Sequence, residues 1–386
     1  MSNLPLYFDY AATTPVDERV IQVMVECLGV SGNFGNPASS SHCYGQQARQ
    51  AVERARAQVA SLVRAKPEQI VWTSGATESN NLALKGLAQG RSGGHIITSL
   101  IEHKAVLDSV RQLELAGFEV TWLAPDAQGL ITPQAVAGAL RDDTFLVSLM
   151  LVNNELGTLN DVQAIGEHVR GHGAFLHVDA AQAAGKVEID LARWPVDLVS
   201  FSAHKVYGPK GIGALYVGER ARPALQAQVH GGGHEGGLRS GTLATHQIVA
   251  MGAAFALAGE LFDDELARIR RLRTRLLEQL AGVPGLGLNG SPQQRIAHTL
   301  SLTFADNSVD LHALATRLAF SSTSACNSAS SAASHVLLAL GHDEQAARRT
   351  LRLSLGRYTS EADIDQAAAA IKASSQAAPF WAVAQG

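Results

Sequence analysis

The sequence predicts an α/β protein in which a large domain holds a mainly parallel sheet of seven strands and a smaller α/β domain accompanies it. Short runs rich in β-branched and apolar residues alternate with longer stretches of helical periodicity, which is typical of a parallel sheet wrapped by helices. Polar residues follow the ends of several of these runs, as expected where a ligand binds at the carboxyl edge of such a sheet. At 386 residues the chain also exceeds one ordinary hydrophobic core.

The elements of the large domain follow in order from this alternation. A helix with one apolar face is predicted over residues 46–63, ahead of the strands. The predicted strands are residues 70–73, 95–98, 119–123, 145–152, 175–178, 198–201 and 214–217.

The pattern changes near Gly259 to one long helix, which we expect to link the two domains. Its apolar residues recur at spacings of three, four or seven, and they are Phe262, Leu266, Ile269, Leu276 and Leu280. Beyond it, residues 299–304 and 351–355 alternate like strands and residues 361–373 form a helical pattern. We therefore predict a large domain of residues 16–258 and a small domain of residues 1–15 and 259–386.

Composition narrows the class of protein. With 46% hydrophobic residues, 17% charged residues and a formal charge of -4, the chain gives no electrostatic reason to expect nucleic acid or anionic membrane as a partner. No run approaches the roughly 20 apolar residues that span a bilayer, and the N-terminus lacks the pattern of a signal peptide. We expect a cytoplasmic protein whose partners are small molecules or proteins.

The cysteines favour neither a disulfide framework nor a metal site. Cys27, Cys43 and Cys326 are odd in number and lack CxxC spacing, so one of them is a candidate reactive thiol. Cys27 lies in a helical pattern and is predicted to be buried, whereas the role of Cys43 stays open. Cys326 lies in a Ser/Ala tract, residues 321–334, which has little side-chain area to bury and is expected to be mobile. The tract is either a surface linker or a loop that carries a nucleophile.

Lys205 and Asp179 together suggest pyridoxal phosphate as a cofactor. Asp179 ends one predicted strand, and Lys205 follows another strand 26 positions later. The cofactor needs a lysine amine that holds its aldehyde as a Schiff base and a carboxylate that keeps its ring nitrogen protonated. Its phosphate needs backbone amides and hydroxyls, for which the candidates are residues 73–80, Ser202 with His204, and the Gly-rich segment 230–242. Residues 73–80 and the Gly-rich segment are also typical of ordinary turns and loops.

Taken together, the motifs resemble one known family along nearly the whole chain. They are DYAATTP (9–15), GNPAS (35–39), TSGATESN (73–80), EHKAV (102–106), NNE (153–155), HVD (177–179), HK (204–205), the Gly-rich segment and SAC (324–326). This set resembles the pyridoxal-phosphate cysteine desulfurases of iron-sulfur cluster assembly, in the class V aminotransferase-like family. The resemblance implies the transferase fold type I of pyridoxal-phosphate enzymes.

The resemblance also implies the cofactor-binding residues. Lys205 would bind the cofactor covalently and move the substrate α-proton, Asp179 would pair with the ring nitrogen, and Gln182 would bind the ring hydroxyl. His103 would stack on the ring and act as an acid or base. The phosphate would be held by Ala76, Thr77, Ser202, His204 and, from the partner subunit of a homodimer, Thr242.

Substrate and product follow from the same resemblance. Arg352 would bind the carboxylate of L-cysteine with help from Asn36, and Asn154 would lie near ring and substrate. Cys326 would attack the substrate sulfur, which leaves alanine and a persulfide for an acceptor such as an iron-sulfur scaffold protein.

Several residues depart from the pattern that is common in this family. Ala203 and Thr323 stand where glycine is common, Gly236 where arginine is usual, and Asn327 where threonine or serine is usual.

Three alternative functions remain open. A selenocysteine or cystine lyase would not depend on Cys326, and an aminotransferase would release a keto acid. A catalytically idle sulfur-assembly scaffold would act through protein contacts alone.

Overall fold

The structure is a computed structural model that describes residues 4–305, 309–322 and 333–376. Its strands are β1 (Leu6–Tyr7), β2 (Ile70–Thr73), β3 (His95–Ser99), β4 (Glu119–Leu123), β5 (Thr144–Met150), β6 (Phe175–Asp179), β7 (Leu198–Ser202), β8 (Gly213–Val217), β9 (Leu286–Leu288), β10 (Thr299–Phe304), β11 (Leu318–Ala319), β12 (Ser321–Ser322) and β13 (Thr350–Ser354). Its α-helices are α1 (Glu18–Val25), α2 (Cys43–Leu62), α3 (Ala76–Ala88), α4 (Lys104–Leu115), α5 (Pro133–Ala139), α6 (Val162–His172), α7 (Thr245–Glu260), α8 (Phe262–Leu280), α9 (Leu311–Ala315), α10 (His335–Ala339), α11 (Glu344–Arg348) and α12 (Glu361–Gln376).

The central sheet has seven strands in the order β2-β8-β7-β6-β5-β3-β4. Strand β8 is antiparallel to both of its neighbours, and the other pairings are parallel. The predicted mainly parallel sheet is therefore confirmed, and so is each of its seven strands. Because six strands run the same way, their carboxyl ends meet at one edge of the sheet.

Helices cover both faces of this sheet. Successive strand residues alternate between two apolar cores, so that Ile70 and Trp72 belong to one core and Val71 belongs to the other. The first core includes side chains of α2, α6 and α7, and the second includes side chains of α3 and α4. A sheet buried on both faces explains why its strands read as continuous apolar runs in the sequence.

A second, antiparallel sheet has the order β12-β13-β10-β9. It shares a separate apolar core with α8 and α12, in which Ile269, Leu300, Leu353 and Ile364 are buried. Phe8 belongs to the same core, and β1 pairs in parallel with β11, so the start of the chain packs with its last third. The domain boundaries given above stay a prediction.

Four details of the elements differ from the prediction. The long helix predicted from near Gly259 is α8, whereas the Ala-rich, Gly-containing α7 that ends at Glu260 was not predicted. Helix α2 begins at Cys43 because Nδ1 of His42 accepts a hydrogen bond from the Gly45 amide and caps it. The predicted strand 145–152 ends at Met150. Both ends of the Ser/Ala tract are structured, as strand β12 and as Ser334, which caps α10.

Within the described ranges, we find no helix whose length and apolar character would let it cross a membrane. The same ranges contain no group of three or more histidine, cysteine, aspartate or glutamate side chains placed to hold a metal ion.

Candidate active site

A cavity of about 580 Å³ opens at the carboxyl edge of the central sheet. The segments that follow β2, β3, β5, β6 and β7 all contribute to its walls. Ten of the predicted site residues line it: Ala76, Thr77, His103, Asn154, Asp179, Gln182, Ser202, His204, Lys205 and Arg352. Residues far apart in sequence thus meet where the topology of a parallel sheet places ligand sites.

Lys205 lies in a short 3₁₀ turn directly after β7. Its Nζ donates hydrogen bonds to the backbone oxygens of Ala11 at 2.6 Å and Ala12 at 2.7 Å. Burial, helped by the positive charge of Arg352, lowers the pKa of this amine to about 8. Because the lowered pKa increases the neutral fraction of the amine near neutral pH, Lys205 is suited to act as a nucleophile and base.

Asp179 ends β6 and is almost completely buried, with 6% of its surface exposed. Its Oδ2 accepts a hydrogen bond from Nδ2 of Asn80 at 2.8 Å, and its Oδ1 accepts one from the Ala181 amide at 3.0 Å. These donors fix the carboxylate in place. Asn80 was not among the predicted site residues, although its position four residues after Ala76 places both on the same face of α3.

The N-terminus of α3 is a candidate anion site. Gly75 precedes it with φ 152° and ψ 177°, a backbone conformation that glycine alone adopts readily. The amides of Ala76 and Thr77 begin the helix, where backbone N–H groups lack partners within the helix. Gly213 lies so close that a Cβ there would be 2.6 Å from the Gly75 Cα. The turn therefore depends on both glycines.

His204 and the Gly-rich segment complete the surroundings of this helix end. Burial lowers the pKa of His204 to about 4, so its ring is neutral, and its Nδ1 shares a hydrogen bond with Oγ1 of Thr13 at 3.1 Å. Arg239 pairs with Glu78 on α3, with Nε and Oε1 2.8 Å apart. This pair neutralises the one carboxylate in the first turn of α3. It thereby keeps the helix end suited to an anion.

His103 caps α4, and its Nδ1 accepts a hydrogen bond from the Ala105 amide at 3.1 Å. Burial lowers its pKa, so the ring is neutral at physiological pH. Because Nδ1 is an acceptor, the proton of the neutral ring lies on Nε2. The geometry gives His103 a defined tautomer within the cavity.

Arg352 projects from β13 with its guanidinium already oriented. It donates to the Asn154 backbone oxygen at 2.9 Å, to Oδ1 of Asp9 at 2.8 Å and to Oγ of Ser321 at 2.6 Å. Sequence reasoning assigned no role to Asp9 or Ser321. Ser321 is the register partner of Arg352 between β12 and β13, which only the fold reveals.

These residues fit pyridoxal phosphate. Lys205, Asp179 and the helix end supply an amine, a carboxylate and an anion site around one cavity. Oδ1 of Asn154 is buried and has no hydrogen-bond partner among the described residues, as expected for a side chain that faces a ligand.

Two predicted site residues that the structure describes, Asn36 and Thr242, do not line the cavity. Asn36 and Thr242 are exposed, and Oδ1 of Asn36 accepts a hydrogen bond from the Ala38 amide. Cys326 lies outside the described residues. Of the other cysteines, Cys27 is buried, as predicted, and burial raises its pKa, whereas Cys43 is exposed.

The segment that follows the undescribed residues is attached to two active-site motifs. Oγ of Ser334 donates to Oε2 of Glu155 at 2.5 Å, and Nε2 of His335 lies 2.9 Å from the Glu102 backbone oxygen. On the other side, Ser321 contacts Asp9 and Arg352. Both flanks of the stretch that contains Cys326 therefore begin beside the cavity.

Comparisons with known proteins show which family the chain resembles. The model of the aminotransferase class-V family matches residues 6–367. The cysteine desulfurase IscS of Ectopseudomonas mendocina is 58% identical, over 98% of this chain and 96% of that protein. A solved structure described as a NifS-like protein is 34% identical, with a TM-score of 0.88 over 96% of this chain and 99% of that one. One described as SspA in complex with cysteine is 42% identical, with a TM-score of 0.82 over 92% of this chain and 100% of that one.

The fold and the cavity define a pyridoxal-phosphate enzyme of fold type I. The chain belongs to the aminotransferase class-V family, and its similarity to IscS proteins confirms the predicted resemblance to cysteine desulfurases. Pyridoxal phosphate is confirmed as the cofactor of this family.

Proposed function

We propose that this enzyme is a cysteine desulfurase, which removes sulfur from L-cysteine and leaves L-alanine and a persulfide on Cys326. The observation that carries the proposal is the convergence of Lys205, Asp179, His103 and Arg352 on one cavity. Each side chain there has the protonation state or partners that its role requires.

The cofactor supplies a protonated ring that withdraws electrons from the substrate. Asp179 stabilises the protonated ring nitrogen, because a fixed, buried carboxylate favours a neighbouring positive charge. The lowered pKa of Lys205 lets its amine take and return the substrate α-proton near neutral pH. His103, neutral and protonated on Nε2, acts as a second acid or base on the substrate side.

Arg352 binds the substrate carboxylate. Asp9 and Ser321 hold its guanidinium through Nη2, while Nε has no partner among the described residues and Nη1 keeps one free hydrogen for a carboxylate oxygen. Asn154, whose Oδ1 is buried without a partner, lies next to it. We assign Asn36 a supporting role at the same carboxylate.

Sulfur transfer is the step assigned to Cys326. Its thiolate attacks the sulfur of the bound cysteine, the bond between Cβ and sulfur breaks, and the carbon skeleton keeps the electron pair and takes up a proton to become alanine. The sulfur stays on Cys326 as a persulfide, which is passed to an acceptor protein such as an iron-sulfur scaffold. A free thiol with this role needs a reducing compartment, which supports a cytoplasmic location.

A homodimer is part of the proposal. Large apolar side chains are exposed together on the segment between α1 and the start of α2, and they are Val25, Leu28, Val30, Phe34 and Tyr44. An exposed apolar cluster of this kind is typical of a subunit interface. Thr242 is exposed at the end of the Gly-rich segment, and we assign it to the phosphate held by the other subunit.

The test compares alanine and sulfide release from L-cysteine, with a reductant, between the wild type and Cys326→Ala at equal cofactor occupancy. Cys43→Ala is the matched control, because Cys43 is an exposed cysteine to which the proposal gives no role. We expect Cys326→Ala to lose sulfide release and Cys43→Ala to keep it. Equal release in all three proteins would indicate a direct lyase, and release of a keto acid would indicate an aminotransferase.

A further inference from the structure

A second lysine lies behind Lys205, on the side away from the open cavity. Lys186 follows β6 at the end of a turn, and its Nζ donates a hydrogen bond to Oε1 of Gln182 at 3.0 Å. A small interior cavity of about 20 Å³ is lined by Lys186, Lys205 and His298, among others. Neither the sequence motifs nor the proposed mechanism gives Lys186 a role.

The partners of Gln182 determine which way its amide points. On one side Nζ of Lys186 faces Oε1, and on the other side Nε2 donates to the Ala11 backbone oxygen at 2.8 Å. An ammonium group only donates hydrogen bonds and a carbonyl oxygen only accepts them, so a flipped amide would lose both contacts. The oxygen must therefore face Lys186. Nε2 carries two hydrogens, and one of them remains after Ala11 is satisfied.

Lys186 forms no ion pair among the residues that the structure describes, and the one carboxylate that acts on its pKa, in the raising direction, is Glu265. None of the ion pairs found in those ranges includes it. Glu265, which lines the same small cavity, is instead paired with Arg357 at 3.0 Å. Burial, helped by the charges of Lys205 and Arg352, lowers the pKa of Lys186 to about 7. Its hydrogen bond to Gln182 persists in either protonation state, because a neutral amine still donates.

We propose that Lys186 is a positioning residue that holds the Gln182 amide so that the free N–H of Nε2 faces the active-site cavity as a donor. The acceptor there is the ring hydroxyl oxygen of pyridoxal phosphate, so this inference rests on the role proposed above for Gln182. A donor at that oxygen favours its ionised form. The bound cofactor is then predicted to change its absorbance at a lower pH than it would without Lys186.

The experiment follows the visible absorbance of the bound cofactor against pH in the absence of substrate. Lys186→Met removes the donor at similar length, and Lys186→Gln restores an N–H donor without a charge. We expect Lys186→Met to raise the midpoint of the titration by about 0.5–1 pH unit, the effect of one hydrogen bond. We expect Lys186→Gln to titrate near the wild type. Lys66→Met is the control, because Lys66 is exposed and paired with Glu219 on the surface.

A wild-type midpoint in Lys186→Met would overturn the proposal. An equal shift in Lys186→Gln and Lys186→Met would also overturn it, because the charge rather than the hydrogen bond would then be responsible. If Lys186→Met does not fold, Lys186→Ala takes its place. In a Gln182→Met background, removal of the Lys186 donor should have no further effect, and an additive shift would contradict positioning through Gln182. The titration is done without substrate and needs no turnover. The role of Lys186 can therefore be tested even if the enzyme is not a desulfurase.

Discussion

Glu102 is a fully buried acid next to His103, and it makes stability depend on pH. Its Oε1 accepts hydrogen bonds from Oγ of Ser99 at 2.7 Å and from the Met150 amide at 3.0 Å, while Oε2 has no partner among the described residues. Burial raises its pKa from 4.5 to about 8. The folded protein therefore binds one proton more than the unfolded chain between these pH values.

Replacement of Glu102 by glutamine should flatten this pH dependence. The contribution of the neutral acid is fully present below pH 4.5, declines as the pH rises, and is lost by about pH 8, where the folded group ionises. As the pH rises from 5 to 9, the unfolding free energy of the wild type should fall by a few kcal/mol relative to that of Glu102→Gln. The size follows from about 1.4 kcal/mol for each unit by which the pKa is shifted. Urea denaturation at several pH values measures it.

Glu114→Gln is the control for this prediction, because Glu114 is exposed on α4. Its stability profile should run parallel to that of the wild type. A Glu102→Gln profile that also runs parallel to the wild type would show that Glu102 is ionised in the folded protein.

Arg352→Lys should weaken substrate binding, because an ammonium group cannot keep the contacts with Asp9, Ser321 and Asn154 that fix the guanidinium and still donate to a substrate carboxylate. We expect kcat/KM for L-cysteine to fall about 10- to 100-fold, which corresponds to loss of one charge-assisted hydrogen bond. Steady-state kinetics of the enzyme saturated with cofactor measures the change in kcat/KM. Arg268→Lys is the control, since Arg268 donates to the backbone oxygens of Gly356, Arg357 and Thr359, away from the cavity. Equal losses in both variants would contradict a role in carboxylate binding.

For single residues, the sequence predicted which side chains belong to the site better than it predicted their contacts and pKa values. Asp179 and Lys205 follow strands, so their position at the sheet edge was predictable. The contact of Arg352 with Asp9 joins residues 343 positions apart, and no local pattern indicates it. The lowered pKa of Lys205 depends on burial and on the charge of Arg352, which require the folded chain.

A buried ion pair attaches the Gly-rich segment to the central sheet. Glu235 accepts from Nη1 and Nη2 of Arg56 on α2 at 2.8 and 2.9 Å, and its Oε2 also accepts from the Trp72 amide of β2 at 2.8 Å. Only 3% of the Glu235 side chain is exposed. Glu235 itself has a positive φ of 55°, and Gly236 follows with φ 63°. A left-handed turn here explains why this chain accommodates glycine at position 236.

Glu235→Gln should destabilise the protein by about 1–3 kcal/mol, because the buried Arg56 loses one of its two carboxylate partners and keeps only Glu53. Thermal or urea denaturation measures the change. Glu219→Gln is the matched control, since the pair of Glu219 and Lys66 is exposed, and it should have no measurable effect. Similar stabilities of both variants and the wild type would mean that Glu235 does not hold the Gly-rich segment to the sheet.

Strands and helices could be predicted where apolar residues recur regularly in the sequence. Strands buried on both faces give apolar runs, and α8 has a regular apolar stripe with Ile269, Leu272 and Leu276 buried. Helix α7 was missed because its sequence is apolar nearly all round, with alanine and glycine in place of a polar face. Short strands such as β12 carry no periodicity of their own and form only by pairing with β13.

At the scale of the whole molecule, the exposed apolar cluster between α1 and α2 should form a subunit interface. The double variant Leu28→Asp with Val30→Asp places two charges in this cluster. In the wild type, Leu28 is 57% exposed and Val30 is 92% exposed. We expect it to be monomeric and to bind cofactor more weakly, because Thr242 would no longer reach the second subunit. Sedimentation velocity and cofactor titration measure both effects.

Leu115→Asp is the control, because Leu115 is an exposed leucine on α4, with 80% of its surface accessible. It should keep the assembly state of the wild type. A double variant that behaves like the wild type in sedimentation would contradict the assignment of this cluster to a dimer interface.

The central claim is that sulfur from L-cysteine becomes bound to Cys326. The most direct measurement is mass spectrometry of the intact and digested protein after reaction with L-cysteine in the absence of reductant. We predict that the peptide containing Cys326 gains the mass of one sulfur atom in proportion to the alanine formed, while the peptides of Cys27 and Cys43 do not. Alanine formation with no added sulfur on Cys326 would contradict the proposed mechanism.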